Sequence, residues 1–185
     1  MTDNNIHEEI VKLIEKYPDL WEKNIYKKGK LLVKIGRKVT SNYYIESGIL
    51  KAFCNNEEAM KEVIIGFVTE KEFVMTHGID SNITSPLSVE VISDAVIYSI
   101  STEEWNELRK LEKITDEMSL QFVRKMSMKF IEQAKINAYS RAKTRYEKSL
   151  ENYPCLRQVK NEYAASFLGL DPRTISRIKE KDKEI

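Results

Sequence analysis

The chain has few of the residues from which metal and redox centres are built. Its 185 residues include two cysteines, two histidines, four prolines and six glycines. Cys54 and Cys155 are too few for a disulfide framework or for a four-cysteine metal or cluster site. His7 and His77 stand alone, without the spacing of metal ligands. The sequence therefore predicts plain thiols, no bound metal and no cofactor.

Long apolar runs are also absent. No apolar stretch approaches the roughly 18 residues of a membrane span, and no signal peptide begins the chain. We therefore expect a cytoplasmic protein with no membrane partner. The sequence also has no nucleophile–base pair and no phosphate-cradling glycine loop, so it does not predict an enzyme.

Charge is balanced over the whole chain but not along it. The chain has 30 Lys/Arg and 29 Asp/Glu, a net charge of +1. Residues 119–185 contain 15 basic and 8 acidic side chains, whereas residues 1–118 contain 15 basic and 21 acidic ones. A basic region behind an acidic one indicates that only the C-terminal part meets a polyanion.

The spacing of apolar residues predicts an α+β protein. Helical spacing over residues 6–17 predicts a short first helix ahead of Pro18. From about residue 25 to residue 100, short β-rich runs separated by turn residues predict an all-β sandwich or barrel. Ser101-Thr-Glu-Glu104 then fits a capping box, which predicts the start of a further helix.

A long helix is predicted from about Thr115 to at least Ala142, because this stretch has no proline or glycine. Apolar and small residues recur on it at a spacing of three and four over about three heptads, which is typical of a helix–helix seam. We therefore expect a homodimer, in which Asn137 could fix the register. Packing of this helix against its own barrel is the alternative. The predicted interface residues are Leu120, Val123, Phe130, Ala134 and Asn137.

The segment 161–179 has the pattern of two short helices around a sharp turn. Gly169 follows an apolar run and fits the left-handed residue that ends a helix without steric cost. Asp171 fits the N-cap of the next helix, and Pro172 fits its first position. These local signals predict both helices and the turn.

The second of these helices is predicted to carry paired cations. Ile175 and Ile178 would face inward, which leaves Arg173 and Arg177 together on the outer face. Such a pair suits the major groove of DNA, where arginine bonds guanine O6 and N7. The alternative is an ordinary helical hairpin with solvated charges.

A β-roll, a long helix and a terminal helix pair, in this order, resemble the Crp–Fnr family of bacterial transcription regulators. Tyr43-Tyr-Ile-Glu-Ser-Gly-Ile-Leu-Lys51 is similar to the family's β-hairpin, Tyr26-Lys-Lys-Gly-Lys-Leu-Leu32 to its opening glycine turn, and Arg141-Ala-Lys-Thr-Arg-Tyr146 to the start of its DNA-binding domain. The resemblance spans about residues 20–180 and is greatest to the shorter Crp-like regulators of Bacteroidetes-type bacteria. It implies a cyclic-nucleotide-binding-like roll over 1–114, a dimerisation helix over 115–140 and a helix-turn-helix DNA-binding domain over 141–185.

The resemblance also implies roles for single residues. Arg177 would be the principal base-reading arginine, with Pro172 and Arg173 at the other two base-facing positions. Because the family commonly has arginine and glutamate there, a different operator base is expected. Asn161 and Thr174 would lie on the phosphate side, and little sequence follows Lys179 for a C-terminal winged hairpin. The predicted DNA-binding residues are Lys160, Asn161, Pro172, Arg173, Thr174, Ser176, Arg177 and Lys179, with Lys181 adding to the attraction for phosphate.

The predicted sensor departs from the family pattern. Members that bind cyclic AMP have a glycine–glutamate pair for the ribose and an arginine for the cyclic phosphate. Between Phe73 and Ser88 this chain has no Gly-Glu pair, no arginine and no lysine. A phosphate there would have no cationic partner, so we expect a degenerate cassette without a response to cyclic AMP. The candidate residues for an unidentified small effector are Glu72, Phe73, Ser85 and Ser88.

The sequence as a whole predicts a homodimeric regulator that binds double-stranded DNA. The alternative is a small-ligand-binding or protein-interaction module whose helical tail no longer reads DNA. Pro172 favours that alternative, whereas the outer arginines and the basic C-terminal region argue against it.

Overall fold

The computed structural model describes residues 4–56, 58, 61–74, 84–112 and 116–182. The chain divides into two compact units. Unit 1 contains Met1–Ala52 and Val68–Phe122, and unit 2 contains Phe53–Phe67 and Val123–Ile185. Unit 2 therefore combines a β-hairpin segment, Phe53–Phe67, with the C-terminal helices.

Helices flank a central series of strands in the described residues. In chain order the elements are α1 (Asn4–Lys16), β1 (Glu22–Tyr26), β2 (Leu31–Val33), β3 (Ser41–Ser47), β4 (Leu50–Asn56), β5 (Lys61–Val68), β6 (Phe73–Val74), β7 (Ser88–Val91), β8 (Ala95–Ser101), α2 (Thr102–Leu111), α3 (Asp116–Asn137), α4 (Ala142–Asn152), α5 (Asn161–Leu168) and α6 (Pro172–Asp182). Short 3₁₀ helices cover Pro18–Leu20 and Pro154–Arg157.

The strands form two four-stranded sheets, in the orders β1-β8-β3-β6 and β2-β7-β4-β5. Strands β3 and β8 pair antiparallel, with a register shift after Ile45. Apolar residues of both sheets pack together, and Ile45, Leu50, Val91 and Ile97 are fully buried. Side chains point to alternate faces along each strand, so one face of each sheet can supply the shared core. The predicted β-sandwich is therefore confirmed.

A second core lies beneath the flanking helices of unit 1. Ile10 of α1 packs there with Trp21, Phe73 and Trp105. The predicted capping box is confirmed at the start of α2. The amide of Glu104 donates to Ser101 Oγ at 3.1 Å, and the Ser101 amide donates to Glu104 Oε2 at 3.2 Å.

Within unit 2 the hairpin segment packs on α5. The amide of Ile64 donates to Ser166 Oγ at 3.1 Å, and the Ser166 hydroxyl donates to the carbonyl of Glu62 at 3.1 Å. The rings of Phe67 and Phe167 lie edge to face, with their centroids 5.4 Å apart. Because β5 is an edge strand, the Ser166 hydroxyl takes the place of a neighbouring strand for two of its backbone groups.

The long helix is shorter than the sequence predicts. Helix α3 ends at Asn137, and α4 begins at Ala142 after an extended Arg141, so the expectation of one helix to at least Ala142 is wrong. Gln133, near the end of α3, bonds Ser149 of α4. Packing of the two helices against each other favours a break in the helix between Asn137 and Ala142, although no proline or glycine lies there.

Candidate nucleic-acid interface

The turn between α5 and α6 has the predicted geometry. Gly169 is left-handed, with φ 62° and ψ 42°. The amide of Leu170 donates to the carbonyl of Ala165 at 2.9 Å, and that of Gly169 donates to Ser166 O at 3.4 Å. These are the two bonds of a Schellman motif, which ends a helix by satisfying its last carbonyls. The prediction of a glycine-terminated helix is confirmed.

Helix α6 begins as its sequence predicts. Pro172 is its first residue, and the amide of Arg173 donates to Asp171 Oδ1 at 2.8 Å. Asp171 is therefore an N-cap, which satisfies one of the free donors at the helix start. Ile175 is fully buried and Ile178 is nearly so, and both face the side on which α6 packs.

Arg173 and Arg177 lie on the opposite face of α6 and are exposed. In the part of the chain that the structure describes, neither guanidinium has a hydrogen bond or an ion pair with another side chain. Two cations one helical turn apart are thus free to bind phosphates or base edges.

Two other predicted DNA-binding residues of α6 already have partners within the chain. Ser176 Oγ donates to Glu180 Oε1 at 3.0 Å. The ammonium of Lys179 donates to the carbonyl of Val159 at 2.9 Å. Lys179 therefore helps to hold α6 against the segment that precedes α5.

The remaining predicted residues lie at the starts of the two helices. Lys160 is exposed just before α5, where its ammonium lies 5.7 Å from the centroid of the Tyr163 ring. Asn161 and Thr174 are half-buried in the first turns of α5 and α6. The structure thus places Lys160, Asn161, Pro172, Arg173 and Thr174 at or just before the start of a helix, whereas Ser176, Arg177 and Lys179 lie farther along α6.

Sequence reasoning missed Arg145 of α4. Its Nη1 donates to the carbonyl of Leu168 at 3.1 Å and to that of Gly169 at 3.5 Å. The guanidinium therefore binds the C-terminal end of α5. No local spacing marks this role, because the contact joins residues more than 20 positions apart.

The predicted dimer residues lie on an exposed face of α3. Leu120 is 67% exposed, Val123 is 53% exposed and Phe130 is 41% exposed. Ala134 and Asn137 are also exposed. Apolar side chains of this size are normally buried, so this face lacks a covering partner within the described chain.

The predicted effector residues have local structural roles. Glu72 Oε2 accepts the amide of Thr69 at 2.8 Å. Phe73 is buried, with its ring centroid 4.9 Å from that of Trp105. The Ser85 hydroxyl donates to the carbonyl of Leu87 at 2.6 Å, and Ser88 Oγ accepts the amide of Ile35 at 3.0 Å. Residues 75–83, which include His77 and most of the cassette, lie outside the described residues.

Other candidate chemistry is sparse. The described residues contain no group of three or more His, Cys, Asp or Glu placed to hold a metal ion. Neither Cys54 nor Cys155 forms a disulfide bond. His7 Nδ1 lies 2.9 Å from the Tyr44 hydroxyl. No helix in the described part of the chain is both long and apolar enough to span a membrane.

The fold is similar to that of several solved bacterial proteins, which include regulators. The c-di-GMP-responsive global regulator CLP of Xanthomonas campestris matches with a TM-score of 0.70 and 16% identity, over 94% of this chain and 92% of CLP. A CooA mutant from Carboxydothermus hydrogenoformans matches with a TM-score of 0.69 and 14% identity, over 100% of this chain and 86% of the CooA chain. A Crp/Fnr-family transcriptional regulator from Eubacterium rectale matches with a TM-score of 0.64 and 15% identity, over 89% of this chain and 79% of the regulator.

The sequence matches one protein family over about half of its length. Residues 23–111 match the cyclic nucleotide-binding domain. No curated protein matches the chain. CLP is a global regulator, and the Eubacterium rectale neighbour is a transcriptional regulator of the Crp/Fnr family. The chain therefore contains a cyclic nucleotide-binding domain within a fold whose neighbours include regulators of the Crp/Fnr family.

Proposed function

We propose that this protein is a homodimeric, sequence-specific DNA-binding transcription regulator of the Crp–Fnr type, located in the cytoplasm. Residues 1–114 then form the sensor, 115–140 the dimerisation helix and 141–185 the helix-turn-helix domain. The observation that carries the proposal is the exposed pair Arg173 and Arg177, on the face of α6 opposite its buried isoleucines.

Helix α6 has the dimensions that groove reading needs. Its 11 residues give a length of about 16 Å, and a B-DNA major groove about 12 Å wide admits a helix of this kind. Arg177, near the middle of α6, would bond guanine O6 and N7 with its two terminal nitrogens. Arg173 would read a neighbouring base, and the charge of Lys160 would attract the phosphates of the DNA backbone. The Lys179 ammonium, which already binds a carbonyl, would contribute mainly through its charge.

Pro172 alters this interface without removing it. Proline has no amide hydrogen, so the start of α6 offers one fewer backbone donor to a phosphate than other helix starts. Asp171 uses its carboxylate for the Arg173 amide, and two anions would repel each other if it faced a phosphate. Base reading would therefore depend chiefly on the two arginines.

A second copy of the chain is the proposed partner for the exposed face of α3. A two-fold contact would cover the same residues on both copies and would bury Leu120, Val123 and Phe130. The two copies of α6 would then lie about 34 Å apart, which is one turn of DNA. A two-fold regulator of this kind recognises a pseudo-palindromic site.

The proposed effector of the sensor is a small molecule other than cyclic AMP. The sequence 73–88 offers no cation for a cyclic phosphate. The Ser85 hydroxyl donates to the carbonyl of Leu87 and Ser88 Oγ accepts the amide of Ile35, and neither hydroxyl carries the positive charge with which an arginine would hold a phosphate. The response of CLP to c-di-GMP is a property of that neighbour.

Selection of bound duplexes from a randomised DNA pool tests the proposal. We expect a two-fold consensus with half-sites 10–10.5 base pairs apart. Affinity for the selected duplex should exceed that for a scrambled duplex at least about a thousandfold, and both affinities should fall steeply with salt. Equal affinity for the two duplexes would contradict sequence-specific reading and would favour a ligand-binding or interaction module.

A further inference from the structure

The last carbonyls of α5 are satisfied in two different ways. The Schellman bonds occupy the carbonyls of Ala165 and Ser166. Two further carbonyls, that of Leu168 at the end of α5 and that of Gly169 in the turn, accept from Arg145 Nη1 at 3.1 and 3.5 Å. Since Arg145 belongs to α4, the turn after α5 is held by a side chain from another helix.

The charge of Arg145 suits this position. The C-terminal end of a helix carries partial negative charge, and a cation there is stabilised by it. A hydrogen bond from a charged donor is roughly twice as strong as a neutral one. The Nε of Arg145 is buried and has no hydrogen-bond partner among the described residues, so the guanidinium is held through Nη1.

We infer that Arg145 is a positioning residue for DNA reading, because it fixes the turn from which α6 starts. This inference rests on the proposed function. Only Leu170 and Asp171 separate Gly169 from the first residue of α6, so a shift of the turn changes the direction of the whole helix. Bidentate contacts by Arg173 and Arg177 need placement within about 0.5 Å and 10–20°.

A phosphate contact by Arg145 is the competing interpretation, and salt dependence separates the two. Each phosphate contact contributes about 0.9 to the slope of log affinity against log salt. Loss of a positioning residue should lower affinity for the selected duplex and leave that slope unchanged. Loss of a phosphate contact should lower affinity for selected and scrambled DNA alike and should reduce the slope by about 0.9.

The experiment uses full-length Arg145→Met and Arg145→Lys. Lys143→Met is the matched control, because Lys143 is an exposed cation on the same helix. The probes are the duplex selected by the wild-type protein and its scrambled counterpart. We expect Arg145→Met to lose about tenfold to a hundredfold in affinity for the selected duplex. For the scrambled duplex the loss should be below about threefold, with an unchanged salt slope. Arg145→Lys should recover part of the loss, since its ammonium can still reach one carbonyl. Lys143→Met should lose about equally on both duplexes, as expected for a diffuse charge effect.

Amide hydrogen exchange at Leu170 gives a readout that needs no DNA. Its bond to Ala165 should open more often in Arg145→Met than in Lys143→Met, by about tenfold or more. If the wild-type protein selects no duplex, the proposed function fails, while exchange still shows whether Arg145 holds the turn. If Arg145→Met does not fold, Arg145→Lys is compared with Lys143→Met in its place. Unchanged exchange, or equal losses on both duplexes with a reduced slope, would overturn the inference.

Discussion

Two buried hydrogen bonds between Gln133 and Ser149 join α3 to α4, and their removal has a calculable cost. Ser149 is fully buried and Gln133 is 5% exposed. The Ser149 hydroxyl donates to Gln133 Oε1 at 3.2 Å, and Gln133 Nε2 donates to Ser149 Oγ at 3.1 Å. Nε2 also donates to Asn137 Oδ1 at 2.9 Å. In Ser149→Ala, Gln133 Nε2 still donates to Asn137 Oδ1, whereas Gln133 Oε1 no longer accepts a hydrogen bond from Ser149.

The expected cost follows from that asymmetry. A buried acceptor left without a donor costs about 1–3 kcal/mol in the free energy of unfolding. Replacing both partners by apolar residues leaves no polar group unsatisfied, so Gln133→Leu with Ser149→Ala should cost less than the two single changes added together. We expect a coupling energy of about 1 kcal/mol or more.

Urea unfolding followed by far-ultraviolet circular dichroism measures these free energies. The four proteins of the cycle should share the same dependence of unfolding free energy on urea concentration. A Ser149→Ala protein within about 0.3 kcal/mol of wild type, or strictly additive changes, would refute a stabilising role for this pair.

Three further predictions concern the dimer, acid stability and the sensor. Phe130→Glu should give monomers in sedimentation equilibrium, whereas Met128→Glu, about 160° away around α3, should remain dimeric; monomeric wild-type protein would contradict the proposed seam. Hydrogen bonds from Lys16 and Tyr17 lower the pKa of Glu112 below its ordinary 4.5, so their contribution to stability is present above that pH and is lost as the pH falls through the lowered pKa. Glu112→Gln should therefore flatten the acid limb of a plot of melting temperature against pH. An unchanged limb would show that the hydrogen bonds from Lys16 and Tyr17 to Glu112 do not stabilise the fold. Saturating cyclic AMP should leave the melting temperature of the wild-type protein unchanged, and a dose-dependent rise would overturn the argument from the missing cation.

Local signals were sufficient to predict the helix pair and most of the sandwich. Gly169 and Pro172 act on their own backbone, so their effect can be read from neighbouring residues. The capping box at Ser101 acts over three positions. Each of these elements appears where the sequence predicts it.

Contacts between distant residues could not be predicted in this way. The bond from Arg145 to Leu168 and the packing of Ser166 on β5 join segments that no periodicity relates. The bond from Gln133 to Ser149, which joins α3 to α4, likewise connects residues 16 positions apart. The DNA-binding, dimer and effector assignments remain predictions, since they depend on partners outside the chain.

A thermodynamic cycle across the protein–DNA interface tests the central claim most directly. Wild-type protein and Arg177→Ala would each be titrated with the selected duplex, and with duplexes in which one guanine at a time is replaced by 7-deazaguanine. This replacement removes the N7 acceptor that a base-reading arginine requires. We predict one guanine per half-site at which the two changes are non-additive by about 1–3 kcal/mol. Additive effects at every guanine would show that Arg177 does not read a guanine N7 and would contradict the account.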